Sequence, residues 1–243
     1  MIVSGGCSNE EDPSLDAAVL RSNHKEADTR FVLHEIGHID NVVVSARDTC
    51  VLLLLMAHRA KLSSKVWTWA GNSKKPKYIP LEEVSANLPR NSSSAFLQFH
   101  AITGCDSTSF TDLWTFKEDC VDGEHFDLLS SVGEDVLDAD TIASAEKFAC
   151  RMYKTSEGSF DLACVVLLGN IRSPEKLTPT SDAFKQHLER RHYQTAVWGQ
   201  ARIQKPVLPN PEETDWALAE DLLVSVFMIL DPIPRACLEM VSY

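Results

Sequence analysis

The sequence predicts an α/β protein whose C-terminal region is mostly helical. Two short runs rich in valine and tryptophan, residues 41–46 and 65–70, have the length and composition of buried strands. Around them, apolar residues recur at helical spacing. Acidic residues also stand at three places where a strand or loop is expected to pass into a helix. In an open α/β sheet such junctions line one crevice, at the carboxyl ends of the strands.

The first half of the chain predicts alternating helices and strands. Asn23 with Glu26 three residues later is a capping-box pattern, which predicts a helix over residues 23–39. Asp48 follows the first strand and predicts a helix that it caps, to about residue 61. The remaining elements are a basic turn at 72–77, a short edge strand at 78–80, and helices over 81–88 and 94–103.

The second half of the chain predicts helices joined by polar segments. The clearest is a helix over residues 180–197, where Thr180 and Ser181 serve as caps and Phe184 and Leu188 face inward. Three prolines at 206–211 predict an extended connector. Further helices are expected over 122–132, 141–154 and 234–241.

The charge of the chain is unusual for a protein that binds nucleic acid. The formal net charge is −12, whereas phosphate binding is driven largely by Lys and Arg. Residues 118–146 contain ten acids and no Lys or Arg, but residues 172–205 contain seven Lys and Arg against three acids. The second segment is therefore either the solvated face of a helix or a local basic surface.

Cysteine usage and the lengths of the apolar runs indicate an intracellular protein. The seven cysteines are odd in number, scattered and never spaced as Cys-x-x-Cys, which argues against both a disulfide framework and a zinc module. The longest apolar run, residues 50–57, is too short to span a membrane. No basic region followed by an apolar stretch opens the chain, so we expect no secretory signal. A nuclear or cytoplasmic protein without a membrane partner is expected.

The acids at the three junctions support two interpretations. They are Glu26 with Asp28, then Asp48, then Asp106. Each could cap a helix or face its dipole, which stabilises a helix by about 1 kcal/mol and needs no metal. Gathered at one sheet edge, they could instead hold divalent metal for phosphodiester hydrolysis. Glu26 and Asp28 can share a site only if Glu26 lies in the loop or first turn, because residues two apart on a helix face different ways.

Three strings around these acids carry a family resemblance. They are SNHKEADTR at 22–30, VSARDTCVL at 44–52 and FHAITGCD at 99–106. With Pro179-Thr180, Trp198-Gly199-Gln200-Ala201 and Leu208-Pro209, they resemble a family of largely uncharacterised animal proteins. That family has a PIN-like domain similar to flap endonucleases and often ends in a tesmin-like cysteine-rich segment. The resemblance implies a PIN-like core with a parallel sheet over residues 1–115, which is expected to lack its first strand or strands, and a mostly helical region over 116–243.

The resemblance also implies a metal site, from which this chain departs. Flap endonucleases hold two metal ions with a Glu-Ala-Glu-type turn, an Asp-x-Asp after a strand and a Gly-x-Asp. The matching positions are Glu26 and Asp28, then Asp48, then Asp106, as metal ligands and catalytic residues for Mg²⁺ or Mn²⁺. The family usually has Asp-Thr-Asp where this chain has Asp48-Thr49-Cys50. Nuclease folds of this type also take an aspartate from their first strand, and we expect that this chain begins too late to contain it. We therefore expect a fragment or decayed copy with weak or absent Mg²⁺ binding, because Mg²⁺ prefers oxygen ligands.

The expected function is that of a metal-dependent nuclease-like protein, derived from a mobile element, acting on DNA or RNA with impaired or lost catalysis. The alternative is a non-catalytic protein-interaction module that retains the PIN-like fold. A non-nuclease phosphohydrolase would use similar ligands. Nucleic acid, if bound, is expected to contact Lys74, Lys75 and Lys77 or the basic stretch that contains Arg190 and Arg191.

Overall fold

The protein is a mixed α/β structure. The computed structural model describes residues 22–24, 26–34, 41–46, 48–62, 65–72, 74–87, 92–103, 132–133, 136–168, 178–214, 216–220, 222–226 and 237. Within these residues it contains seven α-helices, a three-stranded sheet and a separate two-stranded hairpin. The general α/β prediction is thus confirmed, whereas the PIN-like topology stays a prediction.

The three-stranded sheet is mixed rather than fully parallel. Its strands are β1 (Asn41–Val44), β2 (Lys65–Asn72) and β3 (Lys75–Pro80), in that order across the sheet. β1 and β2 are parallel, with Val44 opposite Thr68, and β2 and β3 are antiparallel. The expected parallel pairing therefore holds for β1 and β2 only. β3 is longer than the predicted edge strand because its ladder with β2 continues to the pair Asn72 and Lys75.

The helices follow local sequence signals in most places. Asp48 and Thr180 cap their helices as predicted: their side chains accept hydrogen bonds from the backbone N–H of Cys50 and of Ala183. The seven helices are α1 (Ala27–His34), α2 (Thr49–His58), α3 (Leu81–Ala86), α4 (Ser92–Thr103), α5 (Ala139–Met152), α6 (Phe160–Leu168) and α7 (Ser181–Gly199).

The start of α1 differs from the sequence prediction. The helix begins at Ala27, four residues after Asn23, so the Asn23 capping box is wrong. The reason lies in His24, which is buried and hydrogen-bonded: its Nε2 donates to the Ile203 carbonyl at 2.6 Å, and its Nδ1 lies 2.8 Å from the Thr29 hydroxyl. These contacts hold residues 22–24 outside the helix.

The structure contains elements that the sequence did not predict, and several predicted elements lie outside the described residues. α6 was not predicted, and neither was the C-terminal hairpin of β4 (Trp216–Ala219) and β5 (Leu222–Ser225). Its turn contains Glu220 at φ 49°, a left-handed conformation that Gly or Asn usually signals in sequence. The expected helices at 122–132 and 234–241 lie almost entirely outside the described residues, and so does the predicted boundary at residue 115.

Among the described residues, two apolar clusters form the core, and α4 and α7 contribute to both. The first cluster packs β1, α2, β2 and α3 with Leu97 of α4 and Trp198 of α7. The second packs α5 and α6 with Phe99 of α4 and Phe184 of α7. Leu54 and Phe160, one from each cluster, are fully buried. Burial of such a side chain stabilises the fold by about 1.5–3 kcal/mol.

Two buried histidines form hydrogen bonds between helices, one from α7 to α4 and one from α2 to α7. His187 of α7 donates from Nε2 to the Ile102 carbonyl in the last turn of α4, at 2.8 Å. His58 of α2 donates from Nε2 to the Trp198 carbonyl near the end of α7, at 2.9 Å. The last four carbonyls of a helix have no partner within that helix. His187 thus gives the Ile102 carbonyl a partner from another helix, and His58 adds a second hydrogen bond to the Trp198 carbonyl, which also accepts from the Ala201 backbone N–H at 3.1 Å.

Candidate metal centre

Asp48 lies just beyond the carboxyl end of β1 and serves first as a helix cap. β1 ends at Val44, and Asp48 is the N-cap of α2, where its Oδ1 accepts from the Cys50 N–H at 2.8 Å. The structure thus supports the capping interpretation for this residue. A carboxylate has two oxygens, however, and each accepts more than one contact. Capping and metal ligation are therefore compatible at Asp48.

Asp28, Asp48 and Cys50 converge into one group. Asp28 lies in the first turn of α1, and one ligand atom from each of the three residues lies within 4.8 Å of the other two. The Asp48 side chain is exposed, Asp28 is half-buried and Cys50 is buried. Two of the three acids predicted to converge, Asp28 and Asp48, thus lie close together, whereas the third, Asp106, lies outside the described residues. The group is a possible metal-binding site that opens to solvent on the Asp48 side and is closed on the thiol side.

His100 extends this group toward α4. Its Nε2 lies 3.1 Å from the Cys50 Sγ, and His100 stands in the last turn of α4. The imidazole ring stacks on the Trp198 indole, with ring centroids 6.3 Å apart and planes 17° apart. An imidazole nitrogen thus lies beside the thiol, and the ring is held from behind by a buried aromatic side chain.

Glu26 points toward α7 rather than into the group. Gln194 Nε2 donates to its Oε1 at 2.6 Å, and Trp198 Nε1 donates to its Oε2 at 3.0 Å. Burial raises the pKa of Tyr193, and the Glu26 charge nearby raises it further. Glu26 is not one of the three residues whose ligand atoms converge. Its role in the structure is to join the loop before α1 to the C-terminal half of α7.

Asp106, the remaining predicted ligand, lies outside the described residues. The structure therefore assembles two of the four predicted acids, Asp28 and Asp48, and adds a thiol that the family pattern does not have. The sequence alone predicts no role for His100. Its partner Cys50 is 50 residues away, and only folding of α4 against α2 brings the pair together.

The three predicted lysines lie on one exposed hairpin. Lys74, Lys75 and Lys77 are all exposed, at the turn between β2 and β3 and along β3. β2 runs four residues past Thr68, which pairs with the end of β1, so the hairpin extends about 13 Å further at the usual strand rise. It therefore projects from the same end of the sheet as Asp48.

The two predicted arginines differ in exposure. Arg190 of α7 is half-buried, whereas the Arg191 side chain is buried, at 6% exposure. A phosphate group cannot reach a side chain that is buried to this extent without rearrangement of α7. Of the basic residues named from the sequence, the three hairpin lysines are thus the most accessible.

Comparison with known proteins yields no identification. Among the described helices, none is both long enough and apolar enough to cross a bilayer. No family model matches the chain, and neither a curated protein nor a solved structure shows significant similarity to it.

Proposed function

We propose that this chain is a nuclease-like protein that binds divalent metal and contacts nucleic acid, with impaired or lost catalysis. The convergence of Asp28, Asp48 and Cys50 beyond the end of β1 is the observation that carries the proposal. Carboxylates held at this end of a strand are the usual means of positioning metal for phosphodiester hydrolysis. The resemblance noted in the sequence names Mg²⁺ or Mn²⁺ as the ion.

The donor set is a poor fit for Mg²⁺, which supports the loss of catalysis. Mg²⁺ is held by oxygen atoms in near-octahedral geometry, through carboxylates and several waters. Here the third converging atom is the Cys50 sulfur, and the Glu26 carboxylate is engaged by Gln194 and Trp198. Asp28 and Asp48 are then the two carboxylates of the group among the described residues. No hydrolytic step through a pair of Mg²⁺ ions follows from this arrangement.

The lysine hairpin is the proposed contact surface for nucleic acid. Lys74, Lys75 and Lys77 place three positive charges at the end of the sheet where Asp48 lies. Lys75 and Lys77 point to the same face of β3, whereas the 56% exposed Tyr78 points to the other face. A row of cations beside the Asp28–Asp48–Cys50 group suits contact with the phosphate backbone more than recognition of base sequence.

A non-catalytic interaction module is the second candidate. Its specific support is that Glu26 and Asp48 both make structural hydrogen bonds in this fold, to α7 and to the N-terminus of α2. The exposed leucines of the β4–β5 hairpin, Leu218 and Leu222, also offer apolar surface at 57% and 68% exposure. This candidate predicts no measurable affinity for DNA or RNA.

A salt titration of nucleic-acid binding tests the proposal. The full chain is titrated with fluorescent single-stranded and flap-containing DNA and with RNA, at several salt concentrations, and compared with the Lys74→Ala, Lys75→Ala, Lys77→Ala triple variant. Loss of three phosphate contacts should make the negative slope of log association constant against log salt concentration shallower by about 2–3. A matched control removes Lys61, Lys65 and Lys147, which are exposed: Lys65 lies at the end of β2 opposite the Lys74 turn, and the other two lie outside β2 and β3.

The outcome separates the two candidates. We expect the hairpin variant to lose affinity and the control to keep it, with slow or undetectable cleavage by either in Mg²⁺ or Mn²⁺. Equal salt slopes for the hairpin variant and the parent chain would remove this surface as the site. No binding by the parent chain at low salt would leave the interaction module as the better candidate.

A further inference from the structure

The candidate metal group, which we define as Asp28, Asp48 and Cys50 with the neighbouring His100, contains both hard and softer donor atoms. Asp28 and Asp48 supply carboxylate oxygens, Cys50 supplies sulfur, and His100 places an imidazole nitrogen 3.1 Å from that sulfur. The four side chains come from three different helices, α1, α2 and α4. This is a chemically distinct set from the all-carboxylate site that the family resemblance implies.

We infer that Asp28, Asp48, Cys50 and His100 form a site for a borderline transition metal, Zn²⁺ in preference to Mg²⁺. The inference rests on the metal-binding part of the proposed function and names its ion. Zn²⁺ accepts Cys sulfur, His nitrogen and Asp oxygen together in four-coordinate tetrahedral sites. Thiolate and imidazole ligands favour Zn²⁺, whereas Mg²⁺ favours carboxylate, carbonyl and water.

The distances are compatible with closure around one ion. Bonds of about 2.0–2.3 Å in a tetrahedral site place neighbouring ligand atoms about 3.3–3.8 Å apart. The Asp28, Asp48 and Cys50 ligand atoms are already within 4.8 Å of one another, and the Cys50 to His100 distance of 3.1 Å is close to this range. His100 is not among the residues whose ligand atoms all lie within 4.8 Å of one another, so its ring has to turn toward the two aspartates to complete the coordination.

The proton balance of binding is simple. A metal ligand must present a deprotonated thiol and a neutral imidazole nitrogen. The proton of the Cys50–His100 hydrogen bond leaves to solvent. The sulfur and nitrogen lone pairs then bind the ion, with no change of oxidation state. Asp48 is exposed, so the ion has a path to the site from solvent.

The alternative is that the Cys50 to His100 contact is only a hydrogen bond beside a helix cap. If the contact is only structural, the chain should bind metals no more selectively than scattered surface side chains do. Metal selectivity, and its dependence on the thiol and the imidazole, therefore separates the two. The nucleic-acid assay is not needed for this distinction.

The test is a metal titration of the full chain after removal of bound metal. Calorimetry with Zn²⁺ and with Mg²⁺ gives the two affinities, and Co²⁺ provides a spectroscopic probe because a thiolate ligand produces charge-transfer absorption. The variants are Cys50→Ala and His100→Ala, with Cys150→Ala as the matched control, since Cys150 is also a buried cysteine but belongs to the other core cluster. Circular dichroism without metal establishes that each variant is folded.

We expect one Zn²⁺ per chain, bound more tightly than Mg²⁺, with thiolate absorption for Co²⁺. Loss of a direct ligand in Cys50→Ala or His100→Ala should weaken Zn²⁺ by at least about tenfold, the lower end of what a supporting residue contributes. Cys150→Ala should bind as the parent does.

Three results would overturn the inference: Zn²⁺ affinity unaffected by Cys50→Ala, Co²⁺ binding without thiolate absorption, or Mg²⁺ bound as tightly as Zn²⁺. The last would leave the proposed nuclease-like function in place. Conversely, Zn²⁺ binding that depends on Cys50 in a chain without affinity for nucleic acid would retain the inference and remove the proposed function.

Discussion

Protonation of His187 should weaken the packing of α7 against α4. This residue is 5% exposed and its Nε2 donates to the Ile102 carbonyl. Burial lowers its pKa from 6.5 to about 4, assisted by the charges of Arg191 and Arg190 and opposed by the hydrogen bond to Ile102. The folded protein therefore keeps the imidazole neutral over a pH range in which the unfolded chain protonates it.

The direction and size of the effect follow from this difference. Between pH 6.5 and 4 the unfolded state binds more protons at this residue, so the free energy of unfolding falls as the pH decreases through that window. The full difference of about 2.5 pKa units corresponds to about 3.4 kcal/mol. Between pH 7.5 and pH 5, linkage gives a loss of about 2 kcal/mol from this one residue.

Comparison with His187→Gln isolates that contribution. Glutamine can still donate an N–H to the Ile102 carbonyl but does not titrate. Urea unfolding of both proteins at half-unit steps from pH 7.5 to 5 gives the free energies, with equal m-values as the check that both unfold alike. The variant should be about 1 kcal/mol less stable at pH 7.5, and the parent should lose about 2 kcal/mol more than the variant by pH 5.

A difference between the two proteins that stays constant across this range would refute the reasoning. It would mean that His187 is solvated in the folded state, or that it does not lie between α7 and α4. Other histidines whose pKa burial lowers, His58 and His192, affect both proteins equally and cancel in the comparison.

Two further predictions concern the neighbourhood of the metal group. Trp198→Phe removes the indole N–H that donates to Glu26. It should destabilise the fold by about 2 kcal/mol, since hydrogen bonds to charged groups contribute about 1.5–3 kcal/mol. Trp216→Phe is the control, because the Trp216 Nε1 has no hydrogen-bond partner among the described residues. Chemical denaturation measures both, and equal losses would show that the Glu26 contact is unimportant. Cys50→Asp should lower the melting temperature in chelator, because a third carboxylate joins Asp28 and Asp48, and should recover it with Mg²⁺ or Mn²⁺ through binding to the folded state. If the melting temperature of the variant is the same with and without metal, residue 50 lies outside any metal site.

Local chemistry determined much of the secondary structure. Asp48 and Thr180 specify the starts of α2 and α7 because a short polar side chain can satisfy N–H groups within its own first turn. The valine run of β1 and the alternating strand of β2 were recognisable because burial pattern follows strand period. The general location of the candidate site followed as well, since Asp28 and Asp48 both stand near helix starts that meet beyond β1.

The chemistry of that site was decided by tertiary structure. Cys50 and His100 are 50 residues apart, and Glu26 and Trp198 are 172 apart. No local pattern encodes such pairs, because they form only when α4 and α7 pack against the sheet and its helices. The start of α1 is set in the same way, by a bond from His24 to Ile203 across 179 residues.

The sequence by itself determined the α/β class, most helix starts and the meeting of two aspartates, because capping and periodicity act within a few residues. Only the tertiary structure decided that Glu26 joins α7 and that a thiol with an imidazole completes the group. Side-chain partners distant in sequence are chosen by packing, and packing depends on the whole chain.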